Sequence, residues 1–299
     1  MVTGDTPRID ALALLHACGA LPPGADAEVL ALPSGYWNDV VRVRGDGFDW
    51  VCKAFAEQDG WRLFPILPDE EARALVVLKG RRVAPEFVSY HPRAGGRPAV
   101  LVYEWVEGAM WTEGTAAVGE LLRRQHAVPA EGFREVPTGS DGMLEQGDRL
   151  LGGAAPDDAA ALRALRPALR VQPSPRRVLL HTDAGTGNVI VGPDGPRLID
   201  WQCPALGDAA EDLFTFLAPA FQVVFGHEPL TADERAACLE AYGDPGAEAR
   251  LAALEPALTY RFAAYCAMRR ADLAEADPAS AARYARAVAL SLADLEVAR

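Results

Sequence analysis

Apolar positions along the chain change period several times, and each change marks an element. Ile9, Leu12 and Leu15 recur at helical spacing and predict a short amphipathic helix over Ile9–Ala17, closed by Pro22-Pro23-Gly24. From Val29 the signals turn strand-like. Val40, Val41 and Val43 form one β-rich run, and Phe48, Trp50, Val51 and Phe55 form a second. Asp46-Gly47 between them favours a tight turn, so the two runs predict a hairpin. Pro68 and Asp69 open a helix with Asp69 as N-cap, Leu75 and Leu78 as its apolar face and Gly80 as its stop. Phe87 to Tyr90 and Ala99 to Val106 predict two more strands, separated by Gly95-Gly96. The order is strand, strand, helix, strand, strand.

Beyond Gly108 the pattern becomes mainly helical. Helices are expected over Thr115 to Gln125, over Asp157 to Leu169 and in the Ala/Leu-rich stretches after Ala209. Val128 to Gly139 and Val171 to Pro175 carry the Pro and Gly of loops. One β-rich island interrupts: Val178-Leu179-Leu180, then Val189-Ile190-Val191 and Leu198-Ile199 around a turn at Pro193-Asp194-Gly195. The fold class is therefore α+β. A small N-terminal lobe, residues 1–105, holds an antiparallel sheet and a helix, and residues 106–299 form a larger, mainly helical lobe. A cleft between two lobes is a frequent ligand site.

Charge narrows the partners. The 299 residues carry a formal net charge of −13, and half of them are apolar. Such a surface repels nucleic acid and anionic lipid, so neither is an expected partner. It tolerates or attracts a cationic small molecule, though acidity also serves solubility alone. Cys18, Cys52, Cys203, Cys238 and Cys266 are scattered and include no C-x-x-C pair. They suit core positions in a reducing compartment rather than disulfides or a zinc site. The N-terminus has no basic start followed by an apolar run, and no segment reaches the length of a membrane span, so a cytoplasmic location is expected. Oligomeric state is left open.

Candidate chemistry concentrates in His181–Val191 (HTDAGTGNVIV) and Leu198–Trp201 (LIDW). Phosphoryl transfer needs a carboxylate to orient the acceptor hydroxyl and hard oxygen ligands for magnesium. Asp183, Asn188 and Asp200 supply such oxygens, and the intervening hairpin can return Asp200 to the loop that holds the other two. Asp and Asn also occupy ordinary turns. The joint pattern of strand, H-x-D, four residues, N, hairpin and I-D-W outweighs that reading. It continues as Gly207-Asp208 and Asp212-Leu213.

The arrangement resembles the aminoglycoside phosphotransferase/choline kinase family of the protein-kinase-like superfamily, from about Leu32 to Leu217. The resemblance implies a bilobal protein-kinase-like fold and an ATP- and Mg2+-dependent kinase acting on a hydroxyl of a small molecule. It implies that Asp183 is the catalytic base and that Asn188 and Asp200 ligate Mg2+. His181 becomes a structural loop residue hydrogen-bonded near Asp200. Asp208 and Asp212 are candidate substrate contacts, against the commoner roles of a helix N-cap for Asp208 and packing for the helix. Lys53, in Val51-Cys52-Lys53-Ala54-Phe55, would reach the ATP phosphates, held by a helical carboxylate. Glu71 is the better partner and Glu70 stays open. Ser34 and Gly35, in the turn Pro33–Asp39, would cover the phosphates, although this turn matches no G-x-G-x-x-G; Tyr36 and Trp37 fit that turn or the core equally. Backbone groups from Glu104 to Val106 would meet adenine.

Asp200-Trp201 is followed almost at once by Gly207-Asp208 and a helical pattern, which leaves no room for the peptide-docking segment of protein kinases. The acceptor is accordingly expected to be small: an aminoglycoside or other antibiotic, a choline-like amino alcohol or a sugar. Glu211, Glu228, Asp233 and Glu240 are candidate contacts for a cation, against the commoner role of a solvated helix face. Trp111, Tyr260, Phe262 and Tyr265 fit an aromatic cage less well than core packing. The competing reading is a catalytically inactive nucleotide-binding protein of the same fold.

Overall fold

The computed structural model describes residues 10–21, 24–32 and 38–299. In chain order the elements are α1 (Ala11–Cys18), β1 (Ala27–Ala31), β2 (Asp39–Gly45), β3 (Phe48–Ala54), α2 (Pro68–Leu78), β4 (Phe87–His91) and β5 (Val100–Glu104). There follow β6 (Ala109–Met110), α3 (Thr115–His126), α4 (Ser140–Leu150), α5 (Pro156–Ala164), β7 (Val178–Leu180), β8 (Val189–Gly192), β9 (Gly195–Leu198) and β10 (Ala205–Gly207). The chain ends in α6 (Ala210–Leu217), α7 (Pro219–Val224), α8 (Ala232–Tyr242), α9 (Pro245–Leu273) and α10 (Pro278–Val297). Among the described residues no helix is long and apolar enough to cross a membrane. The fold is α+β.

Two compact units account for the chain. The first comprises 1–109 and 190–203, and the second 110–189 and 204–299. The division expected at residue 105 follows chain order; by contacts, the stretch 190–203, with the β8–β9 hairpin and Asp200, groups with the N-terminal residues.

In the first unit a five-stranded antiparallel sheet runs β1-β2-β3-β5-β4. The β2–β3 hairpin turns at Asp46-Gly47, with Gly45 opposite Phe48 and Gly47 at φ 79°, as the dipeptide predicts. Ala11 and Leu15 of α1 pack with Leu21 on Val41, Val43, Cys52, Val100 and Val102. Helix α1 starts at N-cap Asp10 and stops at left-handed Gly19, earlier than the prolines implied; Ile9, Pro22 and Pro23 lie outside the described residues. Side chains alternate along a strand, so Cys52 on the α1 face sends Lys53 to the opposite face. There α2 contributes Leu75, Leu78 and Glu71, all buried. Leu67, not Asp69, is the N-cap of α2, because Pro68 takes the first helical position and moves Asp69 into the first turn. Backbone bonds from Leu198 N–H to Val83 C=O (2.8 Å) and from Leu67 N–H to Gln202 C=O (2.9 Å) tie 190–203 into this unit.

In the second unit the 29-residue α9 runs through the core, packed by α4, α6 and α10. Strand β7 pairs antiparallel with β10, Val178 opposite Gly207, and leads straight into the loop at His181. Helix α4 was not expected from the sequence. Helix α5 ends at Ala164 rather than Leu169, since Pro167 disfavours helical backbone before it. Helices α3 and α8 lie in close contact: a Cβ at Gly119 would stand 2.1 Å from the Cys238 carbonyl oxygen. Gly119→Ala is therefore expected to destabilise the protein. The helix propensity gained, about 1 kcal/mol, is smaller than overpacking against backbone, about 1–3 kcal/mol. A Tm equal to or above that of the parent in a thermal melt would contradict this.

Candidate active site

Lys53 is the centre of the first unit's polar core. Its Nζ lies 2.9 and 2.7 Å from the two Glu71 carboxylate oxygens and 2.5 Å from Asp200 Oδ1. The Lys53 and Glu71 side chains are 2% and 1% exposed, whereas Asp200 keeps 38% of its side chain open. Burial alone would lower the Lys53 pKa, but the Asp200 and Glu71 carboxylates outweigh it and hold the ammonium above its usual range. Glu70 points elsewhere, 3.7 Å from Arg73. Asp200 sits at φ 61°, in the left-handed region that Asp tolerates better than most residues. Beside it, Gln202 Oε1 accepts from Asn38 Nδ2 at 3.2 Å. Glu104 ends β5 and is exposed, and Val106 just beyond is buried. The backbone between them is pinned by Glu104 N–H to Glu86 C=O and Trp105 N–H to Asp49 C=O, both 2.9 Å. Ser34 and Gly35 lie outside the described residues.

The second unit holds Asp183 and Asn188 on the loop between β7 and β8. Asn188 Nδ2 donates to the Asp183 carbonyl at 2.8 Å, which points the amide oxygen the other way. Asp183 is half-buried and its N–H donates to His181 Nδ1 at 3.3 Å. The Phe225 ring lies against this loop so closely that a Cβ at Gly185 or Gly187 would meet it at 2.3 or 2.2 Å; only glycine fits there. Thr182, between His181 and Asp183, is at φ 66°, an outlier for a β-branched residue.

What restrains that backbone is Asp212, whose role here exceeds the packing expected of it. It is fully buried in α6 and accepts from His181 N–H and Thr182 N–H, each at 2.8 Å. Burial would raise its pKa, but the His126 hydrogen bond, the two histidines and the His181 N–H bring it below the usual carboxylate range. Gln125, His126 and Asp212 form a buried cluster that the sequence reading missed. The signal available was the Asp in the Gly207-Asp208…Asp212-Leu213 run, which stands on the first turn of α6, after β10. Asp208 accepts from Ala210 N–H at 3.1 Å, a capping contact, and pairs with Arg250 at 2.8 Å.

The acidic candidates for binding a cation are largely spent. Glu211 is buried against Arg261 at 2.5 Å, Glu228 pairs with Arg286, and Asp233 and Glu240 are exposed. Trp111, Tyr260 and Phe262 are core residues, and Tyr265 is half-buried.

Comparison with known proteins bears on the kinase-like fold and on the family. The chain resembles spectinomycin phosphotransferase, solved in complex with ADP and spectinomycin (14% identity, 96% of this chain and 98% of that one, TM-score 0.66). It also resembles a choline/ethanolamine kinase family protein from Mesorhizobium loti (18%, 95% and 98%, TM-score 0.56). A third similar structure is choline kinase from Cryptosporidium parvum Iowa II (11%, 97% and 97%, TM-score 0.64). At these identities the likeness is one of fold. No curated protein sequence matches the chain. The model of the phosphotransferase enzyme family matches residues 28–254, most of the chain, and the protein belongs to that family.

Proposed function

We propose that the protein transfers the γ-phosphate of ATP, with Mg2+, to a hydroxyl of a small molecule. The observation that carries this reading is Lys53, a buried ammonium gripped by both oxygens of Glu71 and by Asp200. Such a lysine neutralises phosphate charge, and its carboxylate partner fixes where it points. Asp200 gives Lys53 one oxygen and stays partly open, and Asn188 turns its amide oxygen away from the Asp183 carbonyl. Carboxylate and amide oxygens suit Mg2+, which takes few protein ligands and completes its shell with phosphate and water. Asp200 and Asn188 would hold Mg2+, which would supply positive charge against that developing on the phosphates. Asp183 would orient the acceptor hydroxyl and take its proton. Backbone groups from Glu104 to Val106 would receive adenine, and Ser34 and Gly35 would cover the phosphates.

A small acceptor is supported by the short run from Asp200 to α6, in which the three-residue β10 is the only element. It is supported too by the family and by similar structures that include kinases of choline and ethanolamine and a phosphotransferase for spectinomycin. The test has two stages. First, ATP and GTP, each with and without Mg2+, are compared by thermal shift. A magnesium-dependent shift is expected, near 2.7 kcal/mol of stabilisation at about 100 times the dissociation constant. Second, a panel of aminoglycosides, peptide antibiotics, choline, thiamine, nucleosides and amino sugars is screened by ADP release. A nucleotide shift that does not depend on magnesium, with no ADP release on any member of the panel, would favour the inactive nucleotide-binding reading instead.

A further inference from the structure

We propose that His126 is a positioning residue for phosphoryl transfer, acting through Asp212 on the backbone that carries Asp183; the catalytic role of Asp183 rests on the function proposed above. The Asp212 carboxylate receives four hydrogen bonds while wholly buried. Oδ1 takes Thr182 N–H at 2.8 Å, and Oδ2 takes His181 N–H at 2.8 Å, Gln125 Nε2 at 2.6 Å and His126 Nε2 at 3.2 Å. A carboxylate only accepts, so His126 Nε2 carries a hydrogen. His126 Nδ1 is 3.0 Å from the Tyr242 hydroxyl. His126 ends α3 and Tyr242 ends α8. These helices are clamped by the Gly119–Cys238 approach and by Thr115 Oγ1 donating to Glu234 C=O at 2.7 Å. The imidazole is thus fixed on one side by a rigid helix pair, and it fixes Asp212 on the other.

What Asp212 holds is strained. Thr182 at φ 66° occupies a backbone region that costs a β-branched residue energy and persists only when its surroundings impose it. The two N–H bonds to Asp212 flank that residue, and Asp183 is the next in the chain. Loosening Asp212 frees Thr182 to relax and moves the Asp183 carboxylate from its attack geometry. Gln125, which also bonds the Leu179 carbonyl at 3.0 Å, shares the load, so His126 sets the orientation of the carboxylate rather than its presence.

The test uses the full chain with His126→Leu, His126→Gln and Tyr242→Phe. The glutamine keeps a donor near the Nε2 position, and the leucine keeps only bulk. Hydrogen exchange at the His181 and Thr182 amides is read by mass spectrometry, and kcat and nucleotide KM are read on whichever acceptor the panel yields. His126→Leu is expected to speed exchange at the two amides, and to lower kcat, by about 10–100-fold, the worth of a hydrogen bond to a charged group. The nucleotide KM stays within about twofold, and His126→Gln returns both quantities most of the way. Tyr242→Phe, which removes one hydroxyl and preserves packing, shows the same changes at smaller size. Unchanged exchange in both His126→Leu and Tyr242→Phe overturns the proposal, as does equal damage from leucine and glutamine. The exchange measurement needs no substrate. Faster exchange in the variants, together with no transferase activity in the wild type, therefore sinks the function proposed above and leaves the Asp212 linkage standing.

Discussion

Asp183→Asn lowers the rate of phosphoryl transfer by about 10²–10⁴-fold, the range a positioned general base contributes, while nucleotide affinity stays close to that of the wild type. The two halves of this expectation have separate physical origins. Asparagine fills the same space and still accepts a hydrogen bond, so the acceptor hydroxyl can dock; it takes no proton at neutral pH. The groups proposed to hold nucleotide, Lys53, Glu71, Asp200 and the backbone of 104–106, all belong to the first unit, and Asp183 belongs to the second. Steady-state kinetics on an identified acceptor, paired with calorimetric titration of ATP and Mg2+, measures both. A variant with undiminished kcat would move the base to another residue. A variant that lost nucleotide binding as well would mean that Asp183 supports the fold of its loop.

Lys53→Met should be the most damaging single change to stability. It strands a carboxylate that is 1% exposed, and removing one partner of a buried pair costs about 3–5 kcal/mol. For a chain of this size the Tm should fall by roughly 10 °C, and nucleotide should no longer bind. Burial pushes the Glu71 carboxyl up, and without the ammonium only a backbone hydrogen bond from Trp201 opposes that push. A carboxyl whose folded pKa exceeds its unfolded value binds more protons in the native state. Stability then falls as pH rises above the unfolded value and is best preserved in mild acid. The deficit of Lys53→Met should accordingly be larger at pH 8 than at pH 5. Adding Glu71→Leu should recover much of the lost stability, because an apolar pair of similar volume replaces the ion pair well, and should recover no nucleotide binding. Scanning calorimetry at the two pH values decides it. A deficit independent of pH, or a double variant no better than the single, would show that the cost lies in packing.

Much of the fold could be read from local chemistry, and what could not has identifiable causes. The β2–β3 hairpin was legible because Asp46-Gly47 demands one turn geometry and the flanking residues are β-branched or aromatic. Lys53 and Glu71 were legible through the resemblance, which sets a strand lysine against a helical carboxylate; a lone lysine on a strand is otherwise most often solvated. Helix α4 was not, since Gly142 and Gly147 read as breakers. Gly147 is there because α4 approaches α9 so closely that a Cβ would stand 2.7 Å from the Tyr260 ring. Strand β10, Ala-Leu-Gly, has little propensity of its own and exists because β7 pairs with it. The Asp212 cluster draws on α3, α6, α8 and the site loop, residues far apart in sequence that no window could connect. The single acid visible to sequence reading was given a packing role, because its partners are backbone N–H groups, which every residue has.

The first unit has a further property that comes from its being built of two separated stretches, 1–109 and 190–203. During synthesis the sheet and α2 leave the ribosome long before Asp200, Gln202 and Leu198. The whole of 110–189 must be translated in between, a matter of seconds at ordinary elongation speeds. Throughout that interval Lys53 and Glu71 lack their third charge, Asn38 lacks Gln202, and the Val83 carbonyl and the Leu67 amide lack their backbone partners. The half of this enzyme proposed to hold nucleotide is thus the half whose N-terminal residues are made first and whose contacts are completed late. Its nascent chain waits with an open polar core for a strand that arrives from the middle of the gene.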